Sequence, residues 1–331
     1  MKKFLIAFVM IGTLSCQKDE YFGPVTENDD QGMQDSSEAV ILIGCEGNFQ
    51  YANASLSGYY PRLHEVVNNL YQTANNQSLG DVLQSMFQMG DSVFLVLNNS
   101  GIIRIVEKGS YKEIATIEGL NSPRYVTTSN SHLIVSDFMG GMLSVVNLQS
   151  LNIDQTISAP DWTEQLCKHK ESVYFVGKSD STLNLLSNDL QSIETSIFLN
   201  ADVIHIGVIN DEVVYVANRN NGSGVYKWKN GQVTLLNQWS SKITSATFSD
   251  DFIYMVQGKT VKKLDKYASE LLVQEHNAET PYGLYADDNC VMISDARDYL
   301  SKGRVRVFDL NLDFKNDLKV GFIPQSFLRI E

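Results

Sequence analysis

A short run of apolar residues recurs along this chain about every forty positions. Val40-Ile41-Leu42-Ile43, Val93-Phe94-Leu95-Val96, Leu133-Ile134-Val135, Val173-Tyr174-Phe175-Val176, Val213-Val214-Tyr215-Val216, Phe252-Ile253-Tyr254-Met255 and Cys290-Val291-Met292-Ile293 make seven copies. With Val96, Val135, Val176, Val216, Met255 and Ile293 aligned, the steps are 39, 41, 40, 39 and 38 residues, and a longer step of 53 separates Ile43 from Val96. Each of the last six runs follows a shorter apolar stretch and a tight polar turn, such as Met89-Gly90-Asp91, Asn210-Asp211 or Asp287-Asp288-Asn289. Asn, Asp, Ser and Gly tolerate turn dihedrals, so each pair reads as a β-hairpin. A third alternating strand and a fourth, outer one come next, as in Gly101-Ile102-Ile103-Arg104-Ile105-Val106 and Ile114-Ala115-Thr116-Ile117. Short strands in fours at this period predict an all-β fold, a seven-bladed β-propeller with four-stranded antiparallel blades.

The chain end predicts how the ring closes. Ser122-Pro123-Arg124-Tyr125-Val126 and Thr280-Pro281-Tyr282-Gly283-Leu284 both enter an inner strand, and Ile323-Pro324-Gln325-Ser326-Phe327 repeats their pattern. The first blade has no inner strand before Val40, so residues 322–330 are expected to complete it and remove the open edge of a linear array. Proline suits such an entry because its missing N–H lies outside the ladder.

Hydrophobic residues make up 43% of the 331 residues, ample for burial. No internal run approaches the roughly 18–20 apolar residues of a membrane span. The N-terminus differs: Lys2-Lys3, an apolar stretch from Phe4 to Leu14, then Ser15-Cys16 have the three regions of a secretory signal. The cysteine at its end resembles the bacterial lipobox, although Thr13-Leu14-Ser15 departs from the commonest order, which has leucine first. Residues 1–15 are therefore expected to be a cleaved signal and Cys16 the lipidated first residue of a lipoprotein. Gln17-Lys18-Asp19-Glu20 resembles the signal that sends certain lipoproteins to the outer face of the outer membrane. Residues 16–38 read as the lipidated cysteine and a polar tether, and 39–331 as the propeller. Loss of the signal, with its two lysines, takes the formal net charge from −13 to −15. Nucleic-acid binders need a basic footprint, so that partner class is excluded.

Several chemistries fail on spacing. Gly258-Lys259-Thr260 ends like a phosphate-binding loop, but the glycine required five residues earlier is Ile253. His64, His132, His169, His205 and His276 lack paired metal-ligand spacing. No nucleophile elbow is present. Cys45, Cys167 and Cys290 fall in different blades and read as buried small hydrophobes, with a Cys45–Cys290 disulfide as the alternative.

Function is then expected in the loops. Connections from second to third strand, and from blade to blade, emerge on one face. There the loop after Ile43 carries Glu46, Asn48, Phe49 and Tyr51, and the loop after Ile293 carries Asp295, Arg297 and Tyr299; ring closure makes them neighbours. Around them come Asn98, Asn99, Arg124, Tyr125, Asp137, Phe138, Trp162, Asn218 and Arg219. Rings beside amides, carboxylates and arginines suit a flat, polar-rimmed ligand. Asn98, Asp137, Asn218 and Asp295 also recur after equivalent strands, as turn-forming residues would.

Glu46-Gly47-Asn48-Phe49, Leu79-Gly80-Asp81-Val82 with Gln84-Ser85, Leu97-Asn98-Asn99-Ser100 and Ser122-Pro123-Arg124-Tyr125 resemble the YncE-like seven-bladed propellers of surface lipoproteins, from about residue 39 to the end. Similar proteins include the cobalamin-capturing BtuG-type propellers. The resemblance implies a non-enzymatic lipoprotein that captures a small nutrient complex, a corrinoid first and a siderophore second. It would pass this cargo to a TonB-dependent outer-membrane transporter. No catalytic residue and no resident cofactor are expected. Two alternatives stand beside this: a protein-binding or adhesive propeller, and a hydrolase or lyase holding one calcium ion on Glu46, Asp137, Glu164 and Asp295.

Overall fold

The computed structural model describes residues 39–249 and 251–330; the expected signal, the Cys16 lipidation site and the tether lie outside them. The described residues form seven antiparallel sheets of four strands each, arranged in a ring. Blade 1 joins Val40–Cys45, Ser55–Tyr60 and Glu65–Val67 to the last strand of the chain, Pro324–Ile330. Blades 2 to 7 follow in order over residues 83–117, 123–158, 163–198, 202–239, 245–275 and 281–322. The first strand of each of these six lies innermost, beside the axis, as Pro324–Ile330 does in blade 1.

The continuous apolar runs have a direct cause. The second strand of a blade is covered on both faces, so alternate side chains enter opposite inter-blade cores. Val40 and Leu42 pack toward blade 2, in the cluster with Val93, Leu95 and Leu97. Ile41 and Ile43 pack toward blade 7, with Met292 and Val305. Further round, Ile253 and Met255 join one cluster while Tyr254 and Val256 join the next. One such core fills each of the seven gaps between blades. The outer strands, covered less, alternate or are exposed throughout, as in Glu270–Glu275.

Closure occurs where the Pro324 motif places it. Val40 pairs with Ile330, Leu42 with Leu328 and Gly44 with Ser326. Arg329 on the closing strand reaches back to the turn of blade 7, with Nη1 at 2.9 Å from Asp287 and 3.0 Å from Asp288. The seam is tight enough to require glycine twice. A Cβ on Gly283 would lie 2.1 Å from the Gln325 carbonyl oxygen, and one on Gly303 would lie 2.2 Å from Pro324 Cδ.

The step of 53 residues is explained only in part by the loop after the first strand. The rest forms a connection from blade 1 to blade 2 with a single-turn helix, Leu70–Asn75, which the strand pattern did not foresee. Its fully buried Tyr71 hydrogen-bonds Glu113, which Arg104 also pairs at 2.7 Å. Cys45 and Cys290 share one core as free thiols, so the alternative disulfide does not form. Burial pushes both thiols, and that of Cys167, up to about 12. Among the described residues no helix is long and apolar enough to cross a membrane.

The seam gives a stability test. Gly283→Ala must displace backbone and is expected to cost about 1–3 kcal/mol, as overpacking does. Gly90→Ala meets nothing within 4 Å at a φ of +58°, so its cost is the left-handed penalty alone, about 1 kcal/mol. Denaturant unfolding of both variants checks the ordering.

Candidate functional site

At the start of the inner strands the ladder slips. Register shifts occur between Leu83 and Ser85, Pro123 and Val126, Thr163 and Leu166, Val203 and His205, Pro281 and Leu284, and at Gln325 opposite Gly44 and Cys45. Only the inner strand Ser245–Ser249 pairs regularly from its first residue. A bulge leaves a residue out of the ladder and re-aims its side chain. Here the bulged residues include Gln84, Arg124, Glu164, Tyr282 and Gln325. The entry is held by a repeated bond: the amide of the residue after the second strand donates to the carbonyl of the residue before the bulged strand. Glu46 does so to Ile323, Asn98 to Val82, Phe138 to Ser122, Lys178 to Trp162 and Ala296 to Thr280, at 2.9 to 3.0 Å. Three of these acceptors, Val82, Trp162 and Ile323, have left-handed backbone with φ of 52 to 60°. That conformation is costly for β-branched residues, and the anchoring bond offsets it.

The bulged side chains meet their neighbours from adjacent blades around the axis. Arg124 of blade 3 donates from Nη2 at 2.7 Å and Nε at 3.1 Å to Glu164 Oε1 of blade 4, and from Nη1 to Gln84 Oε1 of blade 2. Gln84 Nε2 lies 3.4 Å from Gln325 Oε1 on the closing strand. Trp162 Nε1 adds a third donor to Glu164 Oε1 at 2.5 Å, its ring meets Phe138 edge to face at 5.1 Å, and the Arg124 guanidinium lies over Phe138 at 5.7 Å. Tyr125 lies beside this set, and burial pushes its phenol up to about 12.

On the opposite side Tyr282 OH points at the Glu46 carboxylate, 3.4 Å from each oxygen. Burial raises the Glu46 carboxyl to about 7, against the pull of the Arg124 charge and the Tyr282 hydroxyl. The Tyr282 ring meets Tyr299 edge to face at 5.9 Å. The two long loops do touch, since Asn48 Nδ2 donates to the Tyr299 carbonyl at 2.8 Å. Above this polar mouth stands an exposed rim: Phe49 at 61%, Tyr51 at 76% and Leu300 at 79% of full exposure, with Trp162 and Tyr299 half exposed.

The remaining sequence candidates are scaffold. Asn218 is buried and exchanges two hydrogen bonds with the backbone of Ile243, while Asn98 Nδ2 bonds the carbonyls of Ser122 and Pro123. The carboxylates work on their own blade: Asp137 accepts from the amides of Ser122 and Met139, and Asp295 from those of Glu279, Thr280 and Arg297. Asn99 bonds Asp81, Arg219 lies over Tyr226 with Nη2 directed at the Leu199 carbonyl, and Arg297 reaches the Lys302 carbonyl. All seven spend their polar ends on neighbouring backbone or side chains of the scaffold. With Asp137 and Asp295 spent on backbone, the four-carboxylate calcium site does not assemble, and among the described residues no group of three or more His, Cys, Asp or Glu is placed for a metal. Sequence reasoning had not singled out Gln84 and Gln325 as site residues. Their signal was present: aligning Pro123, Pro281 and Pro324 makes Arg124, Tyr282 and Gln325 equivalent.

No protein-family model matches the chain, and no curated protein aligns with it significantly. Solved structures share its fold. A Bacteroides fragilis protein provisionally named a 6-phosphogluconolactonase superposes with a TM-score of 0.69 at 10% identity, over 91% of this chain and 100% of its own. A Lactobacillus plantarum protein gives 0.68 at 12%, over 89% and 99%. Kuenenia stuttgartiensis hydrazine synthase gives 0.62 at 13%, over 73% and 88%. At these identities the likeness is one of fold alone: a seven-bladed β-propeller.

Two predictions follow from this geometry. A carboxyl raised from 4.5 to about 7 on folding holds its proton longer in the native state, so it lowers stability as pH rises through that interval. Glu46→Gln should therefore remove part of the loss in melting temperature between pH 5 and pH 8; an identical loss in both proteins would refute the assignment. Asn218→Ala strands the Ile243 N–H and C=O in a buried site and should cost about 1–3 kcal/mol in urea unfolding.

Proposed function

We propose that this protein is a non-enzymatic capture propeller that binds a small, flat, polar-rimmed nutrient complex over its axial mouth. One observation carries the reading: the bulged polar ends of five inner strands converge beneath an exposed aromatic rim on the same face. Rings such as Tyr282, Tyr299, Tyr51 and Phe49 offer stacking surface, and the amides, carboxylates and Arg124 below offer hydrogen bonds to a ligand edge. Because the blades fix the base of every contributing loop, little ordering entropy is lost on binding. Nothing in the mouth pairs a nucleophile with a base, which favours capture over turnover. The resemblance to surface-lipoprotein propellers supports a corrinoid as the first ligand and a ferric siderophore as the second. It also supports anchoring through Cys16, display on the outer membrane and hand-over to a TonB-dependent transporter.

A thermal-shift screen against cyanocobalamin, dicyanocobinamide, haem and ferric siderophores tests this. A native-state binder at a hundred times its Kd stabilises by about 2.7 kcal/mol. Cyanocobalamin should raise the melting temperature, and Tyr282→Ala or Tyr299→Ala should weaken its binding about tenfold in calorimetry by removing one stacking partner. No shift with any of the four classes would contradict the reading.

A further inference from the structure

We propose that Asp81, just before the first strand of blade 2, is a positioning residue for capture: it fixes the loop between the first two strands of blade 1 so that Phe49 and Tyr51 are presented as preformed ligand contacts. The inference rests on the capture reading above and names what holds its aromatic rim in place.

The loop over residues 46–54 is ordered, yet it does not bury its rings. Gly47, Gln50 and Ala52 have left-handed backbone, with φ of 78, 70 and 51°. For Gln50 and Ala52 that conformation is costly and persists only where surrounding bonds over-determine it. Within the loop, the Asn48 amide donates to Asn53 Oδ1 at 2.7 Å, Asn53 Nδ2 donates back to Asn48 Oδ1 at 3.1 Å, and the Tyr51 amide donates to the Asn48 carbonyl at 3.0 Å. From outside, Ser78 Oγ donates to the Ala52 carbonyl at 2.5 Å, and the Gln50 amide, between the two rings in sequence, donates to Asp81 Oδ2 at 2.7 Å. Asn99 Nδ2 donates to the same oxygen at 2.6 Å and sets the direction of the carboxylate. All this order leaves Phe49 61% and Tyr51 76% exposed, the reverse of a loop that folds to pack its own side chains. Asp81 itself is buried, and its Oδ1 has no donor among the described residues. A carboxylate placed so is costly, and a neutral asparagine could accept the same two bonds. What the charge adds is a stronger hold on the Gln50 N–H, at the point from which both rings are aimed.

Hydrogen–deuterium exchange of the purified protein, read by mass spectrometry on the peptide covering residues 46–54, tests this, with the neighbouring strand Ser92–Leu97 as the control. The wild-type loop should be protected, and Asp81→Ala should speed its exchange at least about tenfold while the control strand keeps its rate. Asp81→Asn, able to accept both bonds without the charge, should speed the loop about threefold and carries the test if Asp81→Ala does not fold. An unprotected wild-type loop, unchanged loop exchange in the variants, or equal acceleration of loop and control strand would overturn the positioning role; the last would make Asp81 a support of blade 2 alone. Calorimetry with cyanocobalamin gives the second readout. Binding should weaken about tenfold in whichever variant loosens the loop, and unchanged affinity there would also overturn the role. If cyanocobalamin does not bind the wild type, the capture reading fails for that ligand, and the exchange rates alone decide the role of Asp81.

Discussion

Everything on the functional face depends on the pairing of Pro324–Ile330 with Val40–Cys45. Seven twisted sheets share one axis only if the last strand is hydrogen-bonded to the first; otherwise two edges stay open and the axis has no fixed position. Closure brings Gln325, from the chain end, beside Gln84 of blade 2. It also sets Glu46, from the first blade, beneath Tyr282 of the last. Residues more than two hundred positions apart become one site through a single ladder. The glycines on the seam show how little slack that ladder allows.

The same crowding at the axis accounts for the polar mouth. Inner strands that paired regularly from their first residue would send those side chains alternately to the two faces of the sheet. Bulges at six entries release them instead, and each release sacrifices ladder bonds. The replacements are specific: the amides of Glu46, Asn98, Phe138, Lys178 and Ala296 hold the preceding carbonyls, and Asn98, Asp137, Asn218 and Asp295 hold the entries through their side chains. A rigid layer of Asn and Asp thus supports a layer that presents Arg124, Glu164, Gln84 and Tyr282.

Fold and site differ in how far they could be read from residues alone. Blade number, strand order and the closing strand were legible because burial on both faces makes every second strand an unbroken apolar run. The Pro motif likewise marks three of the seven inner-strand entries, the closing one among them. The meeting of the two long loops followed from closure. What could not be read was the direction of individual side chains. Asn218 and Asp295 carry the same chemistry as a ligand contact, and only their backbone partners reveal them as struts. Gln84 and Gln325 look like ordinary strand residues until the bulge turns them inward. The Leu70–Asn75 helix escaped notice because one turn is too short to impose a 3.6-residue period.

The proposed capture places a ligand over the polar mouth and against the exposed rings. The most direct measurement is a crystal of the protein grown with cyanocobalamin, with the cobalt located by its anomalous scattering. Cobalt over the axial mouth, with the ring against Tyr282 and Tyr299, is the expected result. Cobalt on the outer strands or the opposite face, or an empty mouth at saturating ligand, would contradict a capturing mouth.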